Sequence, residues 1–174
     1  MKRIYLYAIV LLSSMFFITS CEKDPIGGTA AQKMAGEWYV TGDAIDANGN
    51  IVFKDEDLFG VGHFHLDTYN TSTNSSTELW VNDNGHFWDF KTKINMDVNS
   101  MSFSGADIQN VSYDSKVTIT NGKILLGAAH TPSGSVADSI VFTVSFNDDT
   151  YPTQYGYAAY RISGYRYTGL TNDN

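Results

Sequence analysis

The stretch from His86 to Met96 reads as one strand, with its side chains sorted onto two faces from Trp88 onward. Trp88, Phe90, Thr92, Ile94 and Met96 fall on one side of an extended backbone, and Asp89, Lys91, Lys93 and Asn95 on the other. A repeat of two residues fits a strand with one face in a core and one in water, and it does not fit an α-helix. The pattern recurs from Val61 to Ser72, where Phe64 and Leu66 oppose His63, His65, Asp67 and Tyr69. It recurs again from Ser139 to Phe146, where Ile140, Phe142, Val144 and Phe146 share a face. Further strands are expected at Glu37–Thr41, Glu78–Asn82, Met101–Ser104, Val111–Tyr113 and Tyr157–Tyr165.

Turn signals separate these runs. Asn48-Gly49 predicts a type I′ hairpin, Asp83-Asn84-Gly85 a second turn, and Asn121-Gly122 a hairpin joining Lys116–Thr120 to Lys123–Ala128. Asn70–Thr77 reads as a loop. Thr29 to Ala35 reads as one short helix, with Thr29 as its cap and Gly36 as its stop. Aromatic residues make up 14 % of the chain and only three prolines occur, which suits a pleated surface. The expected fold is all-β: one antiparallel barrel of about eight to ten strands with a short N-terminal helix. A barrel is favoured over a sandwich because closure leaves no unpaired strand edge.

The first residues have a different character. Lys2 and Arg3 precede an apolar run from Ile4 to Ile18, and Ile18-Thr19-Ser20-Cys21 has the form of a lipobox. The run is shorter than the ~20 residues a membrane span needs. Residues 1–20 are thus expected to be a lipoprotein signal peptide. Cys21 is the expected lipidation site, residues 21–30 a lipidated flexible tether, and residues 31–174 a single β-barrel domain. The chain is accordingly expected to be an outer membrane lipoprotein, on the cell surface or the periplasmic face, attached by its N-terminal lipid anchor. Cys21 is the only cysteine, so its acylation leaves no thiol for a disulfide, a nucleophile or a thiolate metal site. Removing Lys2 and Arg3 from the 11 basic residues leaves 9 against 19 acidic residues, a net charge of −10. Such a surface repels phosphate backbones, so nucleic acid is not an expected partner.

Both ends of the domain carry a resemblance. Gly36-Glu37-Trp38 opens the first strand, and Arg161 and Arg166 lie near the chain end. This is similar to the lipocalins, in which a Gly-x-Trp meets an arginine of the last strand and closes the barrel's base. The ending Ile162-Ser163-Gly164-Tyr165-Arg166-Tyr167-Thr168-Gly169-Leu170, the lipobox and Met34-Ala35-Gly36-Glu37-Trp38-Tyr39-Val40 together resemble a Bacteroidota lipoprotein family labelled "lipid-binding putative hydrolase". The resemblance implies a lipocalin-like barrel holding an apolar ligand. It implies barrel-closing roles for Trp38 and for Arg161 or Arg166. No motif that carries hydrolysis comes with it. The acidic residues after Cys21 also resemble a surface-export signal of such lipoproteins.

Residue patterns with possible chemistry are few. His63-x-His65-x-Asp67 would place two imidazoles on one strand face, about 6.5–7 Å apart, where His86 or Glu78 could add a third metal ligand. The competing reading is a solvated outer face, because Phe64 and Leu66 claim the core. Pro132-Ser133-Gly134-Ser135 beside His130 lacks the strand-turn-helix elbow of a serine hydrolase. Asp55-Glu56-Asp57 and Asp148-Asp149 read as solvated turns, without the spacing of a calcium loop. Asp138-Ser139-Ile140 resembles a glycosylation acceptor but falls within a strand. No catalytic residue and no cofactor motif is identified.

The aromatics stand out more. Trp88, Phe90, Ile94, Phe142, Val144 and Tyr160 are the candidate lining of an internal cavity, and Trp80, Phe87, Tyr151, Tyr155 and Tyr157 add to the supply of rings. Three readings follow. The leading one is a lipid-anchored envelope barrel that binds a small apolar, lipid-like ligand in its interior. The alternative is a non-catalytic surface accessory protein whose loops, such as Asn70–Thr77 and Thr150–Tyr155, bind a glycan or an outer-membrane uptake partner. The third is a hydrolase, which would need polar groups converging inside a pocket.

Overall fold

The computed structural model describes residues 27–53 and 59–173. The expected signal peptide, Cys21, most of the expected tether and Asp55-Glu56-Asp57 lie outside the described residues.

Among the described residues nine antiparallel strands follow in chain order: β1 Gly36–Ile45, β2 Ile51–Phe53, β3 Phe64–Asn70, β4 Glu78–Asn82, β5 Lys91–Asp97, β6 Ser102–Gln109, β7 Lys116–His130, β8 Val136–Phe146 and β9 Ala159–Arg166. A short helix, α1 Tyr151–Tyr155, precedes β9. From β3 to β9 each strand pairs with the next, and β1 pairs with both β3 and β9. Eight strands therefore close a barrel, and β2 hangs from β1 by the pairs Ala44↔Phe53 and Ile45↔Ile51. Closure runs from Trp38↔Arg166 to Ile45↔Ala159. The two backbones come so close there that a side chain at Gly164 would place its Cβ 2.1 Å from the Tyr39 carbonyl oxygen.

The alternating residues point as the period of two requires. Leu66, Ile94, Ile140, Phe142 and Val144 are at most 2 % exposed in the interior, with Trp38, Val40 and Ile162 beside them. The base of the barrel is sealed by the chain entering β1. Ala31 and Met34 are fully buried there, and the Thr68 hydroxyl donates to the Met34 carbonyl at 2.7 Å while accepting the Trp38 indole N–H at 2.8 Å. The opposite end, the mouth, gathers residue 59, the loop from Asp83 to Phe90 and α1.

Five local expectations need correction. Residues 29–35 do not form a regular helix. They make consecutive turns, with Gln32 N–H on the Thr29 carbonyl and Met34 and Ala35 N–H on that of Ala31, because the segment folds flat over the base. The strand expected from His86 begins only at Lys91, since residues 84–90 wrap around the Asp83 carboxylate. Asn121-Gly122 does not turn a hairpin. β7 runs through it to His130, and the register step from Thr120↔Thr143 to Lys123↔Val141 marks a bulge of two residues against one. Asn48-Gly49 does lie between β1 and β2, but Gly49 alone has positive φ, which rules out type I′. Val111–Tyr113 also makes no strand; it bends between β6 and β7.

Candidate functional site

The mouth is organised by one buried acid. Asp83 is fully buried and ends β4, and its carboxylate accepts backbone N–H bonds from Gly85, Phe87, Trp88 and Phe90 at 2.7–3.1 Å. Wrapping the chain this tightly needs left-handed backbone at Asn84, Gly85 and Asp89. The loop thereby carries Phe87 and Trp88 over the barrel end. Phe87 stacks on Phe64 with centroids 5.5 Å apart and presents its edge to Tyr160 at 5.1 Å. Trp88 stacks on Phe146 at 5.2 Å. Phe59 and Tyr151 close the ring from the other side, 5.2 Å apart.

Beneath these rings lies a polar trio. Tyr160 is fully buried, and its hydroxyl donates to Asp149 at 2.6 Å. The Tyr157 hydroxyl lies 2.6 Å from that of Tyr160, and with the Tyr160 proton committed to Asp149 it is the donor. Burial first, and then the Asp149 carboxylate, push the Tyr160 hydroxyl far above the ordinary tyrosine range. Burial likewise raises Tyr157. Both hydroxyls are therefore neutral at any physiological pH. α1 delivers Tyr151 and Tyr155 to the rim and stops at Gly156, whose left-handed φ of 78° suits glycine. Phe59 is 44 % exposed and Tyr151 37 %, so the rim is an open aromatic surface over a filled interior.

The residues singled out in the sequence fall into three places. Phe90, Ile94, Phe142, Val144 and Tyr160 point inward and are at most 2 % exposed, packed directly on their neighbours. Trp88 is only partly buried and sits at the mouth, in a loop rather than on a strand. At the base, the Arg166 guanidinium lies 4.4 Å from the Trp38 ring centre, while Arg161 faces outward and pairs with Asp43 at 2.7 Å.

His63 and His65 sit on the outer wall. His63 stacks on Tyr39 at 4.9 Å, and His65 Nδ1 meets Glu37 at 2.8 Å. Among the described residues no three His, Cys, Asp or Glu side chains gather as a metal site. The Asp148-Asp149 pair divides, Asp148 accepting from Tyr113 at 2.7 Å and Asp149 from Tyr160. Ser133 belongs to a serine-threonine loop, where its N–H donates to Asp173. Two open grooves lie near the base, away from the mouth. One of about 310 Å³ touches Gly127, Asp138 and Arg166, and one of about 560 Å³ touches Ala30, Thr77 and Asn99.

Sequence reading missed Phe59, which follows no alternating run, and the organising role of Asp83. The signal for Asp83 is present in hindsight: an Asp-Asn-Gly turn followed by a third residue, Asp89, that tolerates positive φ.

The chain matches the model of the family described as "Lipid-binding putative hydrolase" over residues 23–171, and it belongs to that family. No curated protein matches it. Membership and the closed antiparallel barrel together support a lipid-binding barrel.

Proposed function

We propose that this member of the lipid-binding putative hydrolase family takes up an apolar, lipid-like molecule through the aromatic mouth of its barrel. The observation that carries the reading is the cluster of Phe59, Phe87, Trp88 and Tyr151. Phe59 and Tyr151 are exposed and Phe87 and Trp88 partly buried beneath them, all at the end opposite the base and directly above an interior of Phe, Ile and Val side chains. An acyl chain entering there replaces ring–ring contacts with chain–ring contacts, and water leaves the exposed rim. Because the interior residues are packed, entry requires Phe87 and Trp88 to swing aside, which makes binding an induced-fit event. The Asp149–Tyr160–Tyr157 trio gives a polar headgroup a hydrogen-bonding partner just inside the rim. Its hydroxyls are held neutral, so it orients a ligand rather than attacking one.

The proposal includes an anchor. Acyl chains on Cys21 would hold the protein to the membrane, and the six residues to Gly27 reach at most ~20 Å when extended. Gly27 leads into the base, so the mouth faces away from the bilayer that carries the anchor. Location in the outer membrane belongs to the same proposal.

Native mass spectrometry of the protein purified from its own envelope tests the reading. A stoichiometric apolar molecule is expected to travel with the protein. Trp88→Ala is expected to weaken binding of the neutral probe N-phenyl-1-naphthylamine by about tenfold with an unchanged circular dichroism spectrum. A protein that emerges empty and also ignores the probe would overturn it.

A further inference from the structure

On the outer wall of the barrel, aromatic side chains stand among the polar residues of the solvated face. Tyr39 and His65 are cross-strand partners on β1 and β3, and Tyr69 and Trp80 are cross-strand partners on β3 and β4. All four face away from the core and are partly exposed. The Tyr69 and Trp80 rings lie 6.5 Å apart and nearly parallel, at 24°, and the Lys91 ammonium lies 5.8 and 5.6 Å from their centres. The Tyr39 ring is flanked by His63 and His65, with Tyr167 edge-on to His65 at 4.6 Å.

Hydrogen-bonding groups separate the two platforms. The Asp67 carboxylate accepts the Asn84 amide at 3.1 Å, and Asn84 in turn accepts the Asn82 amide at 2.8 Å. Glu37 lies beside His65, bonded to its Nδ1. No Leu, Ile, Val or Met faces outward along β3, β4 or the paired stretch of β1; every aliphatic side chain there points into the core.

We infer that this wall binds a neutral glycan chain, a site separate from the lipid-binding mouth and independent of it. The C–H bonds on one face of a pyranose ring meet the negative face of an aromatic ring, and the hydroxyls around its edge seek carboxylates and amides. The wall offers both kinds of group in alternation. His65 and Tyr69 are four residues apart on one strand, about 13 Å, a span that takes an oligosaccharide rather than a single sugar. Tyr and Trp also serve protein–protein interfaces, so a second copy of the chain is the competing occupant, and the test separates it by oligomeric state. On this wall the carboxylates of Glu37, Asp67 and Glu78 outnumber the ammonium groups of Lys91 and Lys93, and the chain's net charge of −8 further repels a uronate or sulfated chain, which leaves a neutral one.

Affinity electrophoresis of the detergent-solubilised protein through gels holding mixed-linkage β-glucan, xylan, galactomannan or glycogen tests this. Retardation by at least one of the four is expected. Trp80→Ala and Tyr39→Ala are expected to lower that affinity about tenfold with unchanged circular dichroism, and Trp80→Phe to retain most of it. Leu126→Ala, at an exposed position on β7, is expected to leave it unchanged. The inference is overturned by free migration in all four gels, by retardation that Trp80→Ala does not alter, or by binding to heparin alone. It is equally overturned if the wild-type protein is a dimer that Trp80→Ala converts to a monomer without any glycan effect.

Discussion

Arg166 and Trp38 are cross-strand partners at the point where the last strand meets the first, and the guanidinium carbon rests 4.4 Å from the indole centre. The same guanidinium donates to the Ala35 carbonyl at 2.9 Å and to Asp138 at 3.1 Å. One side chain thus ties together β1, β8, β9 and the turns that seal the base. Arg166→Ala is expected to destabilise the protein by about 2 kcal/mol, from the lost cation–π contact and the orphaned carbonyl. The ion pair with Asp138 adds little, because both side chains are about one-third exposed. Arg166→Lys keeps the charge but not the planar fork and should recover less than half. Urea denaturation with an unchanged m-value measures this; equal midpoints for wild type and Arg166→Ala would refute it.

Asp83 is expected to be the most sensitive polar residue of the mouth. Four backbone N–H groups depend on its two oxygens. Asp83→Ala leaves them to find water, at a cost of about 3 kcal/mol. Asp83→Asn keeps a single acceptor oxygen and turns an NH₂ toward the remaining donors, so it should cost about 2 kcal/mol. Hydrogen exchange at the Phe87, Trp88 and Phe90 amides should accelerate in both variants before the β-barrel amides respond. Protection that stays native at these three amides would show that the carboxylate does not hold the loop.

Acid should loosen the C-terminal segment. Thr168 donates to Asp173 at 2.7 Å and the Ser133 N–H at 2.8 Å, and these bonds lower its carboxyl from 3.8 to about 2. A carboxyl depressed in the folded state stabilises the fold above its unfolded value and loses that contribution as pH falls through the folded one. Stability should therefore decline between about pH 4 and pH 2 in the wild type, and less steeply in Asp173→Asn. Thermal melts across that range measure the difference, and parallel slopes for the two proteins would remove Asp173 from the account.

Much of the barrel is legible from alternation alone. Phe64 with Leu66, Thr92 with Ile94 and Met96, and Ile140 through Phe146 all face inward, because a strand offers only two directions and water selects between them. Alternation misleads at Trp88. It shares the parity of Phe90 and Ile94, yet its place is set by a carboxylate five residues earlier, a bond that hydropathy does not register. Asn121-Gly122 misleads in the same way. The dipeptide permits positive φ, and whether the chain then turns or bulges depends on the partner strand, here β8, which continues past it.

The mouth was the least legible part. Tyr160 meets Phe87, Trp88 and Phe146, and Asp149 receives its proton, through contacts between segments joined only when the barrel closes. Parity of Arg166 with Tyr160 and Ile162 places it on the inward side and Arg161 on the outward side, but parity does not say that Trp38 waits opposite.

The sequence by itself determined the strand class, the inward faces and the family, because these depend on local periodicity and on short runs of residues. The tertiary structure decided which strands meet, which end is sealed and which aromatics share a surface. Those outcomes rest on closure between β1 and β9, more than a hundred residues apart, and on single hydrogen bonds such as those of Asp83, whose partners are named only by the folded chain.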